Sequence, residues 1–363
     1  MARAHGADRM SASRRRVVEE VPFNAEVPLS EVACAPGEGA VFVRSHFDLP
    51  VLSQAEHRVE VAGAVVRPAA YRLDDLRRWP GRSVELTLEC AGNGRSLMRP
   101  QPRGTAWGLG AAGNAIFEGV ALQDLLEEAG VEAGALEVLA AGADAGTVAS
   151  GARVAFERSL PLAVALRGDV LLAHTLNGAP LPREHGFPLR LVVPGWYGVA
   201  SVKWLTRLSV LRTPFAGWFQ KDTYVYDGES GVPDGTPVRA MRVRALITSP
   251  EEGAVLRDGA VAVEGAAWSG SGPVVAVALS ADEGVSWTDL ELEPARGPWL
   301  RRRFRGTWIP PGPGSYTLLA RATDATGATQ PLDAVWNRLG YGNNAVHRVQ
   351  VVVDPSGSVL RSM

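Results

Sequence analysis

Hydrophobic and polar positions divide the chain into two textures. From about residue 41 to residue 240, helical and strand periods are interleaved. "VALQDLLEEAG" (120–130) puts Leu122, Leu125, Leu126 and Ala129 at i, i+3, i+4 and i+7, one face of a helix, with Gly130 where a C-terminal cap belongs. "YRLDDLRRW" (71–79) predicts a short helix stopped by Pro80. "VELTLE" (84–89) and "LRLVV" (189–193) read as strands. "SVKWLTRLSVL" (201–211) alternates Val202, Trp204, Leu208 and Val210 on one face, as a half-buried strand does.

From residue 241 the pattern changes to short alternating runs: "VRALITSP", "AVAVEGAAW", "VVAVALSADEGVSWTDLEL", "GPWLRRRFRGTWI", "SYTLLARATDATGA" and "HRVQVVVD". Turn sequences such as Asp282-Glu283-Gly284 and Asp324-Ala325-Thr326-Gly327 separate several of them. Six or seven strands without a helix signal predict an antiparallel sandwich of immunoglobulin-like type. "DGESGVPDGTPV" (227–238) is the expected linker. The predicted class is α+β: a mobile arm at 1–20, a mixed α/β domain at 21–240, the β-sandwich at 241–354 and a tail at 355–363.

A chain of 363 residues exceeds one ordinary core, which agrees with two domains. Its 40 glycines and 25 prolines exceed the usual share of roughly one residue in eight and favour many turns. A formal net charge of −2 gives no bulk attraction to nucleic acid or to a membrane surface. No apolar run is long enough to span a bilayer. Arg301-Arg302-Arg303-Phe304-Arg305 is expected to be a solvated strand edge. The arginines near the N-terminus are followed by no apolar stretch, so no leader is expected, and the two cysteines suit a reducing, cytoplasmic setting.

One of those cysteines, Cys90, closes a strand-like run and opens the turn "CAGNGRS" (90–96). Glycines at 92 and 94 let backbone approach a ligand, and Arg95 supplies a charge that favours a thiolate. A buried, inert thiol is the plain alternative. No histidine pattern marks a cysteine nucleophile, and no cluster of soft ligands near Cys90 marks a zinc site. What remains is one soft ligand on a metal whose other ligands come from a cofactor.

"CAGNGRS" resembles the motif around the molybdenum-ligating cysteine of the sulfite oxidase family, which includes assimilatory nitrate reductases. "PFNAE" (22–26) and "FVRSHFDLP" (42–50) resemble that family's N-terminal motifs. "LLAHTLNGAPLPREHGFPLRLVVPGWYGVASVKWLTRLSV" (171–210) is similar to its longest signature, and "AAWSGSG" (266–272) and "VWNRLGYGNNAVHRVQV" (335–351) to its dimerisation domain. The resemblance covers about residues 21–353. It implies a molybdopterin-binding domain, a Mo-molybdopterin cofactor with Cys90 as the metal ligand, and a homodimer. Cofactor-binding positions by match are Arg44, His46, Cys90, His185, Arg190, Ser201 and Lys203; Arg190 and Lys203 suit a phosphate. The implied substrate pocket, for a small oxyanion such as sulfite, comprises Arg44, Arg95, Trp107 and Tyr224, with Arg348 expected to reach a partner subunit's pocket. The family often has "CAGNRR" where this chain has Asn93-Gly94-Arg95, and Thr223 takes the expected tyrosine position unless a one-residue shift brings in Tyr224.

The implied activity is oxidation of sulfite to sulfate by oxygen-atom transfer at a Cys-ligated, pterin-bound molybdenum. With no haem-attachment motif and no nucleotide motif in the chain, electrons are expected to pass to an external acceptor. The alternatives are a related enzyme reducing nitrate or a sulfoxide, and a non-enzymatic binding module without metal.

Overall fold

Charge pairing fixes the start of the described chain. A computed structural model describes residues 15–354 apart from residue 258. In it Arg16–Glu19 forms a strand antiparallel to Asn24–Glu26. Arg16 pairs with the buried carboxylate of Glu26, and Glu19 Oε2 accepts from Asn24 Nδ2 at 2.7 Å and from Thr105 Oγ1 at 2.9 Å. The expectation of a mobile arm therefore does not hold for residues 15–20. The rest of that arm, and the tail at 355–363, lie outside the described residues.

The first domain is built on two sheets. In one, Gly81–Glu89, Ala112–Ala121, Leu171–Leu176 and Ala179–Pro180 pair in that order, and Arg190–Val192 also pairs with Leu171–Leu176. In the other the order is Ala69–Arg72, Arg58–Gly63, Leu205–Leu211, Glu137–Thr147 and Arg153–Pro161, with only the pair Arg58–Gly63 and Leu205–Leu211 parallel. The predicted helix forms at Leu122–Ala129, with its four apolar residues buried and Gly130 closing it at φ 70°. Burial of each leucine there contributes roughly 1.5–3 kcal/mol. The helix predicted at 71–79 shrinks to one turn, Leu73–Leu76. Tyr71 is held in a strand opposite Val59, and Gly81 already starts the next strand, so only a turn fits between them.

The alternation read over 201–211 is broken at its start. Trp204 has φ 49°, and the strand Leu205–Leu211 carries an irregularity between Leu205 and Arg207. Leu208 and Val210 keep the buried face; Trp204 is buried separately, its indole N–H donating to the carbonyl of Arg183 at 2.9 Å.

The second domain is a sandwich. Arg244–Ser249, Val261–Trp268, Arg302–Trp308 and Glu291–Leu292 form one sheet. Ala254–Leu256, His347–Val353, Gly314–Asp324, Val274–Ser280 and Thr288–Asp289 form the other. Period-two burial is clean in His347–Val353, where Val349, Val351 and Val353 point into the core and Arg348 points out. The basic run is partly as expected: Arg303 and Arg305 are outward and meet Glu264, Glu293 and Glu291, but Arg301 is buried. The expected linker is a hairpin, Val225–Tyr226 with Thr236–Pro237, tied down by the buried Glu229, which takes Arg242 and Asn337.

The sandwich grips the end of the strand Gly81–Glu89. Trp268 Nε1 donates to Glu89 Oε2 at 2.9 Å, and Arg244 Nε lies 2.8 Å from Glu89 Oε1. Gly342 N–H donates to the carbonyl of Ala91 at 2.8 Å, and Asn343 Nδ2 to that of Gly94 at 2.8 Å. Cys90 thus sits where both domains meet. Among the described residues no helix is long and apolar enough to cross a membrane.

Candidate active site

Cys90 follows the last residue of its strand, and its N–H donates to the carbonyl of Ala111 at 2.8 Å. The turn after it is locked by Asn93, which donates to Glu89 Oε1 at 3.0 Å and accepts from Ala111 N–H at 3.1 Å. Two glycines have separate reasons. A Cβ on Gly92 would lie 2.8 Å from the Arg95 guanidinium, and Gly94 has φ 81°. Where the family often has arginine, this chain's backbone is left-handed, which explains the glycine there.

The Cys90 side chain lines a cavity together with Arg44, His46, Asp144, Phe156, Glu184, His185, Arg190, Ser201, Lys203 and Tyr224. Every sequence-matched cofactor position therefore reaches one cavity. Arg190 opens the strand Arg190–Val192 and Ser201 closes the turn Gly198–Ala200 after it: Arg190 Nη1 donates to His185 O at 3.0 Å and Nη2 to Ser201 O at 3.1 Å, while Ser201 Oγ accepts from Val193 N–H at 3.1 Å. Lys203 Nζ donates to the carbonyl of Glu184 at 2.8 Å and lies 4.1 Å from the Trp204 ring centroid. Tyr224, at φ 57°, sends its hydroxyl to within 2.7 Å of His46 Nε2. Thr223 Oγ1 instead turns back to the carbonyl of Trp218 at 3.5 Å, so Tyr224 is the residue that faces the cavity. His46 is stacked on Phe156, with ring centroids 4.7 Å apart.

Burial sets the protonation states. It pushes His46 and His185 well below the ordinary histidine value, helped by neighbouring Arg and Lys charges, so both rings are neutral at pH 7. It lowers Arg190 to about 10 and Lys203 to about 7, and raises Asp144 to about 6. Burial also raises the Cys90 thiol, opposed by Arg44, the Gly92 backbone and Arg95. A bound cation would complete the shift to thiolate.

Three predicted residues stand elsewhere. Arg95 is buried beside the cavity, donating to Leu339 O at 3.0 Å and Thr105 O at 2.9 Å, with its guanidinium 4.9 Å from the Tyr341 ring centroid. Trp107 is fully buried behind Phe42, which lines the cavity; their centroids are 6.3 Å apart at 80°. Arg348 does not join the Cys90 cavity of its own subunit. It is an outward strand residue paired with Glu283 and Asp333, on the wall of a second, wider cleft. Asp144, Glu184, Phe156 and Tyr341 were missed. Asp144 had one signal, being the only acid in the small-residue run "AAGADAG" (140–146). Tyr341 comes from the sandwich and stacks on Tyr224, at 4.7 Å and 17°.

The cavity's chemistry fits an anionic, many-handed cofactor. Among the described residues the hydrogen bonds of Arg190 and Lys203 go to neutral oxygens, the carbonyls of Glu184, His185, Leu191 and Ser201 and the Ser45 hydroxyl, and the buried Asp144 Oδ1 has no hydrogen-bond partner. Buried cations so placed are stabilised by a phosphate, and the lone carboxylate oxygen by a ring N–H. No group of three or more His, Cys, Asp or Glu among the described residues could hold a metal, so Cys90 would share a metal with ligands the cofactor brings.

Comparison with known proteins agrees. Residues 46–219 match the oxidoreductase molybdopterin-binding domain, and residues 236–308 the Mo-co oxidoreductase dimerisation domain. Fold and site together define a molybdopterin oxidoreductase. The chain is 36% identical to the mitochondrial sulfite oxidase of Drosophila melanogaster over 92% of its own length and 62% of that protein's. It is 31% identical to the sulfite oxidase of Arabidopsis thaliana, covering 92% and 93% of the two chains. The crystal structure of the sulfane dehydrogenase SoxCD from Paracoccus pantotrophus superposes with a TM-score of 0.81 at 29% identity, over 96% of this chain and 90% of that one. The chain belongs to the sulfite oxidase family. It spans 62% to 67% of the length of its mitochondrial relatives.

Proposed function

We propose that this chain oxidises sulfite to sulfate at a molybdenum held by a pterin and by Cys90 Sγ, passing electrons to an external acceptor. The observation that carries the reading is a single buried cysteine facing a cavity whose cations, Arg190 and Lys203, direct their hydrogen bonds to neutral oxygens, not to a carboxylate. Arg190, Lys203 and His185 would hold the cofactor's phosphate; the Ser201 hydroxyl, which accepts from Val193, keeps its own proton to donate. Asp144 Oδ1 would accept from the pterin. When bound, the group supplies the two-electron couple and an exchangeable oxygen, so that sulfite and water give sulfate, two protons and two electrons.

The protein's own part is field and position. Arg44 attracts and orients a small dianion and, with Arg95, favours the thiolate of Cys90. The neutral His46 and the Tyr224 phenol, whose proton burial retains, form a fixed pair at one wall. Trp107, through Phe42, backs the cavity with hydrocarbon that excludes water. The reading includes a homodimer through the sandwich, with Arg348 on the side open to a partner, and a reducing, cytoplasmic setting supported by Cys34 and Cys90 both being free.

A second reading, oxidation of a sulfane sulfur, is favoured by two facts: the likeness to a sulfane dehydrogenase, and the use of Arg95 donors on Leu339 and Thr105, which leaves fewer free donors for a dianion. The test is molybdenum and pterin content measured on one preparation with sulfite-dependent ferricyanide reduction. Parallel arms use a polysulfane donor, and reduced viologen with nitrate or a sulfoxide. Cys90→Ser is expected to keep fold and pterin and to lose nearly all turnover. Wild-type sulfite oxidation by that variant would remove Cys90 from the site.

A further inference from the structure

Arg15 precedes the first strand, yet its side chain is only 8% exposed. Its Nη2 lies 3.2 Å from Nε2 of His185 and its Nη1 3.5 Å from Oε1 of Glu184, while its buried Nε has no partner. A guanidinium removed from water is costly unless its donors are matched. Here one nitrogen is unmatched, one meets a neutral ring, and one meets a carboxylate at the long end of the range. Glu184 and His185 are also where the other cations converge: Lys203 donates to the carbonyl of Glu184 and Arg190 to that of His185. Three cations thus gather on two adjacent residues that line the Cys90 cavity, Arg15 reaching them from the side of the second cleft, with the Glu184 carboxylate 3.5 Å from Arg15 and that of Asp144 acting on Lys203. The matching ligand is an anion with several acceptor oxygens, such as a phosphate.

We infer that Arg15 is a ligand of the anionic end of the cofactor, and that this contact fastens the strand Arg16–Glu19 over the cavity. The inference rests on the cofactor reading above and adds a consequence: cofactor retention and protection of the N-terminal strand are linked, each favouring the other. Nothing in the strand's other contacts requires this. Arg16 to Glu26 and Glu19 to Asn24 and Thr105 would hold the hairpin with the cavity empty or full.

The experiment compares wild type, Arg15→Gln and Arg15→Lys, each prepared with and without cofactor. Molybdenum and oxidised-pterin fluorescence are followed during dialysis, and amide hydrogen exchange is followed over residues 16–19. Arg15→Gln is expected to release both components about tenfold faster, the loss of one charged hydrogen bond, with Arg15→Lys between it and wild type. The strand should exchange faster in cofactor-free wild type than in loaded wild type, and the difference should vanish in Arg15→Gln. Thermal melting separates a ligand from a scaffold residue: cofactor-free Arg15→Gln should melt no lower than wild type, since the buried cation it removes has one unmatched nitrogen and only a long contact to a carboxylate. Equal retention, equal exchange with and without cofactor, or a cofactor-free variant that melts lower overturns the inference. A wild-type preparation carrying neither molybdenum nor pterin overturns the cofactor reading itself, and this inference with it.

Discussion

Glu89→Gln probes how two domains hold one cysteine. The Glu89 side chain is 0% exposed and that of Arg244 2%, and their atoms approach to 2.8 Å. The approach is off the N–H direction, since Arg244 Nε has no hydrogen-bond partner, so the attraction is Coulombic. Glu89 also accepts from Trp268 and from Asn93, and it adjoins Cys90 in sequence. Glutamine keeps the shape and can still accept one of those hydrogen bonds, but it strands the guanidinium. Breaking a buried pair from one side costs about 3–5 kcal/mol, and the retained shape puts this case near the lower end. Replacing both partners, as Glu89→Gln with Arg244→Met, should recover most of the loss, because no unpaired charge remains. The coupling in a double-mutant cycle should then exceed about 2 kcal/mol. Urea denaturation of the cofactor-free proteins, followed by tryptophan fluorescence and by far-UV circular dichroism, gives the four free energies. In Glu89→Gln the sandwich and the first domain should separate into two transitions, because the main polar tie between them is lost. A single mutant within about 0.5 kcal/mol of wild type, or losses that simply add, would refute the reasoning.

Tyr224→Phe removes the hydroxyl 2.7 Å from His46 but keeps the stack on Tyr341. Molybdenum content should be unchanged and kcat/KM for sulfite lower by about tenfold; unchanged kinetics would take the hydroxyl out of the reaction. Lys203 is pushed down from 10.5 to about 7 by burial first and Arg190 second, so between those values the unfolded chain binds the extra proton. The Lys203 contribution to cofactor-free stability is therefore most unfavourable below about pH 7 and improves as pH rises toward 10. Stability curves of wild type minus Lys203→Met should rise across that window, and a flat difference would contradict the burial of a charged ammonium.

The parts legible in the sequence were those with local periodicity or local motif. Leu122, Leu125, Leu126 and Ala129 announce their helix because the 3.6-residue period needs no partner, and Val349, Val351 and Val353 announce a strand in the same way. Arg190, Ser201 and Lys203 were found by their match to one contiguous family motif, and the strand Arg190–Val192 with the turn after it brings all three to the cavity. What stayed hidden depends on pairing across the chain. Arg15 meets His185 at a separation of 170 residues, and Trp268 meets Glu89 at 179; no window of sequence contains both members of either pair. Charge also misled by itself. Arg15 and Arg16 read as part of a mobile arm and Arg301 as an exposed edge, because an arginine's stem can be buried or exposed with equal ease and its partners decide. Those partners explain the placement of Cys90 as well. The strand Gly81–Glu89 could end anywhere its alternation allows, but Glu89 is claimed by Arg244 and Trp268, Ala91 by Gly342 and Gly94 by Asn343, all from the segment after residue 240. The thiol is aimed by the sandwich as much as by its own sheet, so the domain that includes the matched dimerisation module also braces the turn that carries Cys90.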